Sequence, residues 1–317
     1  MTYLLPTTSV DRCTVDERHA RELERWPTRE ADLGAGLTVR RALPVRGHKR
    51  LIGPWCFFDH YGPLDFAEGK AMDIAPHPHI GLQTVSWLLA GEAQHDDSLG
   101  CEAVVRPGWM NLMTAGNGIA HSEQTPDKHS GTLHGLQLWV ALPEAARHGA
   151  AYFDQYTDLP TWEPGGGRVQ VFMGRLGPVD AATRVFSPIV AADITVAAGG
   201  AMQIPLEAGW EHAVYGISGE VTLDGQPLAG PGLSYLGTAR AGLELRSRTG
   251  ARLILIGGAP FGESIVMWWN FVGRSTDEIL RARTDWEAGH DRFGEVAAYD
   301  GPRLAAPELS GRLAARA

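Results

Sequence analysis

The sequence predicts an all-β protein, a duplicated antiparallel barrel or sandwich with short peripheral helices. Three observations carry that expectation. Gly 39 and Pro 20 make 59 of 317 residues, well above the roughly 12% these two types usually share. Short runs rich in Val, Leu, Thr and Trp, cut by Gly, Pro and Asp, recur through two stretches of roughly 100 residues each. No tandem repeat of roughly 20 to 50 residues is visible, which sets aside solenoids and propellers. A chain of 317 residues is long for one core, so two domains are expected.

Taken in order, the first element is a short helix beginning near Val15, because Thr14 and Glu17 stand at capping-box spacing in "TVDERHARELERW". From Leu37 to about Pro143 the runs "LTVRRAL", "LQTVSWLL", "EAVVRPG" and "LHGLQLWVALP" read as antiparallel strands. The stretch from Glu144 to Gly167, with "DLPTWEPGGG", has the Pro and Gly content of a connection. A second β-rich region runs from Val169 to about Gly258, with "VQVFM", "GEVTL", "LELRS" and "RLILIG". Within it "TLDGQPL" predicts a hairpin, since Asp224-Gly225 suits a type I′ turn. Ser275 and Glu278 form another capping box opening a helix of roughly four turns. The final "GPRLAAPELSGRLAARA" reads as an extended tail.

Composition excludes several functions. Lys plus Arg 28 against Asp plus Glu 37 gives a net charge of −9, dispersed along the chain, so direct nucleic-acid binding is not expected. A mean hydropathy of −0.14, without an apolar run near the roughly 18 residues of a membrane span, argues against a membrane protein. The N-terminus lacks the pattern of a signal peptide, and a cytoplasmic setting is expected. Cys13, Cys56 and Cys101 are odd in number and widely spaced, so reduced thiols are expected rather than a disulfide framework or a CxxC motif.

The histidines are the informative residues. Six of the twelve, His77, His79, His95, His121, His129 and His134, fall between positions 77 and 134. In a strand, side chains at i and i+2 share a face with Cα atoms roughly 6.5 to 7 Å apart, so His77 and His79 can converge on one ion. His121 and Glu123 repeat that spacing downstream. Three imidazoles and one carboxylate from two strands form the candidate metal site. Such mixed ligation suits iron(II) best, with manganese, nickel, copper and zinc as alternatives. His95, in the acidic turn "QHDDSLG", and His129, in a polar loop, read as ordinary polar residues, while His134 reads as a neighbour at the outer edge of the site. "GNGIAH" reads as a hairpin turn rather than a nucleotide loop. Cys101 reads as a buried, inert thiol. Trp55, Phe57, Phe58, Trp87, Trp109 and Trp139 are read mostly as core, with an aromatic pocket as the alternative.

Together "HPHIGLQTVSWLLAGE", "RPGWMNLMTAGNGIAHSE" and "LHGLQLWVALP" resemble three successive signatures of the pirins, a branch of the cupin superfamily. "GPWCFFDHYGP" and "GGAPFGESIVMWWNFVGRSTDEI" resemble further family segments, and the resemblance covers nearly the whole chain. It implies a bicupin of two RmlC-like antiparallel jelly-roll barrels. Residues 1–143 would form an N-terminal metal-binding cupin domain, 144–167 a linker, and 168–317 a C-terminal cupin domain without metal, carrying the helix and tail. The ligands implied are His77, His79, His121 and Glu123. In the second barrel Trp210 stands where an HxH pair needs its first histidine, leaving His212 alone. One departure is Gln83, where the cupin pattern has a glutamate four residues after the second histidine; an amide there cannot readily take a proton.

The resemblance implies a quercetin 2,3-dioxygenase, opening a flavonol with O2 and releasing carbon monoxide, with Glu123 as proton acceptor. A redox-responsive, iron-dependent regulator acting on a cytoplasmic protein is the alternative, and a cupin for another small molecule the third. Membrane and direct nucleic-acid partners are not expected.

Overall fold

A computed structural model describes residues 23–314 apart from 34–36, 46–50, 67, 229–231 and 310. The helix expected near Val15 lies outside the described residues, as does Cys13. The N-terminal half contains β1 (Glu24–Pro27), β2 (Arg29–Asp32), β3 (Thr38–Leu43), β4 (Trp55–Asp65), β5 (Asp73–His79), β6 (Leu82–Gly91), β7 (Ala93–Asp97), β8 (Glu102–Val105), β9 (Met110–Thr114), β10 (Ile119–Gln124) and β11 (Thr132–Ala141). β12 (Tyr152–Tyr156) and β13 (Thr161–Trp162) follow in the connection. The C-terminal half contributes β14 (Gly167–Leu176), β15 (Val179–Ala181), β16 (Ile189–Val196), β17 (Ala201–Pro205), β18 (Glu211–Gly219), β19 (Val221–Leu223), β20 (Gln226–Leu228), β21 (Gly232–Gly237), β22 (Gly242–Arg246) and β23 (Ala251–Gly258). The chain closes with β24 (Val266–Trp268), β25 (Phe271–Gly273) and one helix, α1 (Thr276–Glu287).

Each half is a jelly roll of a long and a short antiparallel sheet. In the first the long sheet runs β12-β9-β6-β11-β4-β3-β2 and the short one β5-β10-β7-β8. The second repeats the plan, with β1-β21-β18-β23-β16-β14-β13 over β17-β22-β19-β20. The bicupin architecture expected from the sequence is present, as two-sheet jelly rolls rather than continuously paired barrels. Asp224 (φ 48) and Gly225 (φ 78) form the two-residue turn between β19 and β20, both in the left-handed region a type I′ turn requires.

The two long sheets pack face to face. One core cluster joins Trp55, Phe58, Val85, Trp87 and Leu138 of the first half to Phe172, Ile194, Tyr215 and Leu255 of the second. This explains why "LQTVSWLL" reads as a continuous apolar run: β6 is buried along Leu82–Leu89, covered on both faces. Two indole N–H groups that enter this core are paired. Trp87 Nε1 donates to Asp193 Oδ2 at 2.9 Å, and Trp55 Nε1 to the Gly257 carbonyl at 3.0 Å. Fully burying each such large side chain stabilises by about 1.5–3 kcal/mol.

The chain ends cross over. β1 adds a strand to the C-terminal long sheet through β21, while β24, β25, α1 and the tail pack on the N-terminal half. Ser275 caps α1, its side chain accepting from the Glu278 amide, as its capping box predicts. The helix has 12 residues, slightly shorter than expected, and buries Ile279, Ala282 and Trp286 against Ile80 and Ala120. The Leu304 amide donates to the Pro76 carbonyl at 2.8 Å. The C-terminal segment thus reaches the strand that carries "HPH". No described helix is long and apolar enough to cross a membrane.

Candidate metal centre

The site is built on the antiparallel pair β5 and β10, where Ile119 faces His79 and His121 faces His77. A register shift after His121 sets Glu123 opposite Ile74. Pro78 can occupy β5 because β5 is the edge of its sheet, where a missing N–H costs no ladder bond. The ligand-capable atoms of His77, His79 and His121 lie within 4.8 Å of one another, and all three residues are buried.

Two of the three tautomers follow from their partners. His77 Nδ1 lies 3.0 Å from the Ala75 carbonyl and His79 Nδ1 3.0 Å from the Asn270 carbonyl. A carbonyl only accepts, so each Nδ1 carries the proton and each Nε2 keeps its lone pair. His79 Nε2 and His121 Nε2 then stand 3.0 Å apart. Burial disfavours imidazolium: it lowers the His77 pKa to about 4 and holds His79 and His121 well below their ordinary value. Three neutral, convergent imidazoles fit a divalent transition metal, and their Nδ1 partners are of the kind that orient metal-bound histidine.

Glu123 is outside that close group. Its carboxylate accepts from Gln137 Nε2 at 3.1 Å and Ser86 Oγ at 3.4 Å, and it lines the same cavity as His77 and His79. Burial pushes its pKa up, against the hydrogen bonds from Ser86 and Gln137.

The cavity holds about 370 Å³. Its apolar walls include Phe57, Trp139 and Trp269, and its polar wall includes Arg41, Asp59 and Gln137. Trp139 stacks on Phe57 with centroids 4.0 Å apart and meets His79 edge-on at 5.3 Å. Trp55, Phe58 and Trp87 are core residues, so the aromatic set divides between core and pocket. Arg41 binds Asp59 through two hydrogen bonds of 2.7 and 2.6 Å. Burial raises the Asp59 pKa, and Arg41 works against that shift.

Two readings change, and the position of Gln83 is defined. Gln83 does not face the metal site: it shares the β6 face of Val85 and Trp87, donating to Thr114 Oγ1 at 2.9 Å and the Arg184 carbonyl at 3.1 Å. Strand alternation separates it from Ser86, which faces Glu123. His134 is not at the edge of the site either, since a bulge in β11 aims it at His60, with Nε2 atoms 2.7 Å apart. Cys101 is half-buried rather than buried, though burial and the nearby Asp97 keep its thiol protonated. His129 stays outside the site, stacked on Phe66.

The sequence reading missed several residues. His95 Nδ1 lies 3.3 Å from His121 Nδ1, and its Nε2 lies 3.1 Å from Asp97 Oδ2. The i, i+2 spacing of His95 and Asp97 was the available signal. Arg41, Asp59 and the Trp269-Asn270 turn carried none, because they reach the cavity from distant strands.

The Pirin family profile matches residues 36–140, and the profile of the Pirin C-terminal cupin domain matches 191–294. A Pseudomonas aeruginosa protein, provisionally named a quercetin 2,3-dioxygenase, is 45% identical over 298 residues, 94% of each chain. A Caulobacter vibrioides pirin-like protein is 36% identical, covering 86% of this chain and 95% of its own. A crystal structure of quercetin 2,3-dioxygenase from Acinetobacter baumannii is 40% identical and superposes with a TM-score of 0.89, over 92% of this chain and 97% of that one.

Proposed function

This chain belongs to the pirin family, and on that premise we propose that it is an iron(II)-dependent quercetin 2,3-dioxygenase. The observation carrying the proposal is the convergence of three buried, neutral imidazoles at an aromatic-lined cavity of about 370 Å³. His77, His79, His121 and Glu123 would hold the metal, a mixed donor set that suits iron(II). When bound, the metal supplies Lewis acidity toward the flavonol hydroxyl and a centre able to engage O2.

The protein's own residues do the rest. Phe57, Trp139 and Trp269 give a planar polyphenol apolar faces to lie against. Glu123, its pKa raised by burial, accepts the hydroxyl proton at a carboxylate oxygen while Ser86 and Gln137 hold the carboxylate in place. The Arg41–Asp59 pair offers fixed polar partners on the opposite wall. Trp269, Asn270 and Leu304 bring the C-terminal segment to the cavity wall. A flavonol-like small molecule is therefore the proposed partner, and the cytoplasm the proposed setting.

Iron-loaded protein is mixed with quercetin without air, then exposed to O2. Expected are loss of flavonol absorbance and release of carbon monoxide; neither, at full iron occupancy, would remove this substrate from the proposal. Glu123→Gln that retains metal should lower turnover by about 10²–10⁴-fold. A protein partner recovered in only one iron oxidation state would favour the regulatory reading instead.

A further inference from the structure

We infer that Asp97 and His95 are positioning residues, forming a relay that fixes the tautomer of His121 and so presents its Nε2 lone pair to the metal. The inference rests on the metal-centre reading above. It starts at the outer end. Asp97 Oδ1 accepts from the amides of Leu99 at 2.8 Å and Cys101 at 3.1 Å, which stops the carboxylate from rotating. Its other oxygen faces His95 Nε2 at 3.1 Å. With two backbone amides donating to its Oδ1, Asp97 is held as an acceptor.

The next steps follow from complementarity. If Asp97 accepts, His95 Nε2 carries the proton, and the tautomer the relay requires keeps its lone pair on Nδ1. That atom lies 3.3 Å from His121 Nδ1, so His121 must donate there. Its Nε2 is then a lone pair, facing the Nε2 lone pair of His79 at 3.0 Å. Two lone pairs at that separation repel unless a cation lies between them. The reverse order would place an N–H on the ligating nitrogen and block the site.

The fold holds the relay rigidly. In the pairing of β7 with β10, Asp97 lies opposite His121 and His95 opposite Glu123. His95 stacks on Phe153 of β12, centroids 4.4 Å apart and planes 15° from parallel. His95 and Asp97 are 5% and 3% exposed. His77 and His79 take their orientation from backbone carbonyls. His121 alone depends on side chains, which is why substitution can reach it.

The first measurement needs no variant. In the full chain stripped of metal and labelled with ¹⁵N-histidine, two-bond ¹H–¹⁵N correlations should report His121 as the Nδ1–H tautomer. An Nε2–H tautomer overturns the relay. The second compares nickel(II) affinities by chelator competition. His95→Leu should weaken binding about 10–100-fold, the usual effect of losing an outer partner. His95→Gln, whose amide can donate to Asp97 and accept from His121, should recover most of the loss. Equal affinity in wild type and His95→Leu overturns the inference, as does equal loss in both variants when both remain folded. Failure of wild type to bind nickel(II) or iron(II) would instead strike the metal reading, while the tautomer measurement would still decide the relay.

Discussion

The two halves share one jelly-roll plan and differ in what their interior strands present. In the first, β5 and β10 lie side by side and bring histidines from both strands to one level, His77 opposite His121. In the second, Trp210 and His212 precede or open β18 and line a cavity of about 410 Å³ together with Arg175 and Glu207. His212 is 1% exposed, its Nδ1 lacks a well-formed hydrogen bond, and Gly257 makes room for it, since a Cβ there would sit 2.5 Å from His212 Cδ2. One scaffold therefore accepts either a convergent donor set or a lone packed imidazole. The metal-site difference lies in a few side chains, whereas the long-sheet packing is common property of both halves.

The sharpest way to break that asymmetry is His79→Ala. Nickel(II) affinity should fall by more than the roughly 10–100-fold of an outer partner, because a converging nitrogen itself is lost; isothermal titration reads it. Next comes pH, where buried histidines of both halves act in the same direction in the metal-free protein. Burial lowers His77 and His212 each to about 4, so between the unfolded value near 6.5 and pH 4 the unfolded chain binds more protons. Stability is present above that window and is lost as pH falls through it, by roughly 3 kcal/mol for His77 alone. Denaturant midpoints from pH 7 to 4 check this, and saturating metal should move the loss to lower pH.

Smaller in effect is Gln83→Glu. A carboxylate facing the Arg184 carbonyl in the interdomain core should cost about 1–3 kcal/mol without changing metal affinity. Weakened metal binding at unchanged stability would contradict its placement away from the site. His212→Leu should shift stability by less than about 1 kcal/mol at pH 7, since replacing a poorly paired polar group by an apolar one is close to neutral. It should flatten the acid loss while leaving nickel(II) binding intact, which separates the two cavities functionally.

Much of the N-terminal site was legible because its chemistry is local. The HxH spacing encodes two donors on one strand face, and alternation alone predicts that His77 and His79 converge. The hairpin at Asp224-Gly225 and the cap at Ser275 were legible for the same reason: each depends on backbone geometry over a few residues. The setting of Gln83 was not legible, because a pattern offset of four residues says nothing about which face the strand turns to the metal. That face is set by the burial of Val85 and Trp87 against the other half. His134 was misread because a single extra residue in β11 reverses its direction.

The sequence by itself determined the all-β class, the division into two halves and the residues of the metal-competent triad, since periodicity and donor spacing act within one strand. Only the tertiary structure decided what surrounds them. Asn270, 191 residues beyond His79, supplies the carbonyl that orients it, Trp269 closes the cavity from the same turn, and His95 with Asp97 reaches His121 across a strand pairing. Those contacts arise because apolar surfaces on β24, β25 and α1 can be buried only against the N-terminal half, and burial carries the polar atoms of their turn to the histidines.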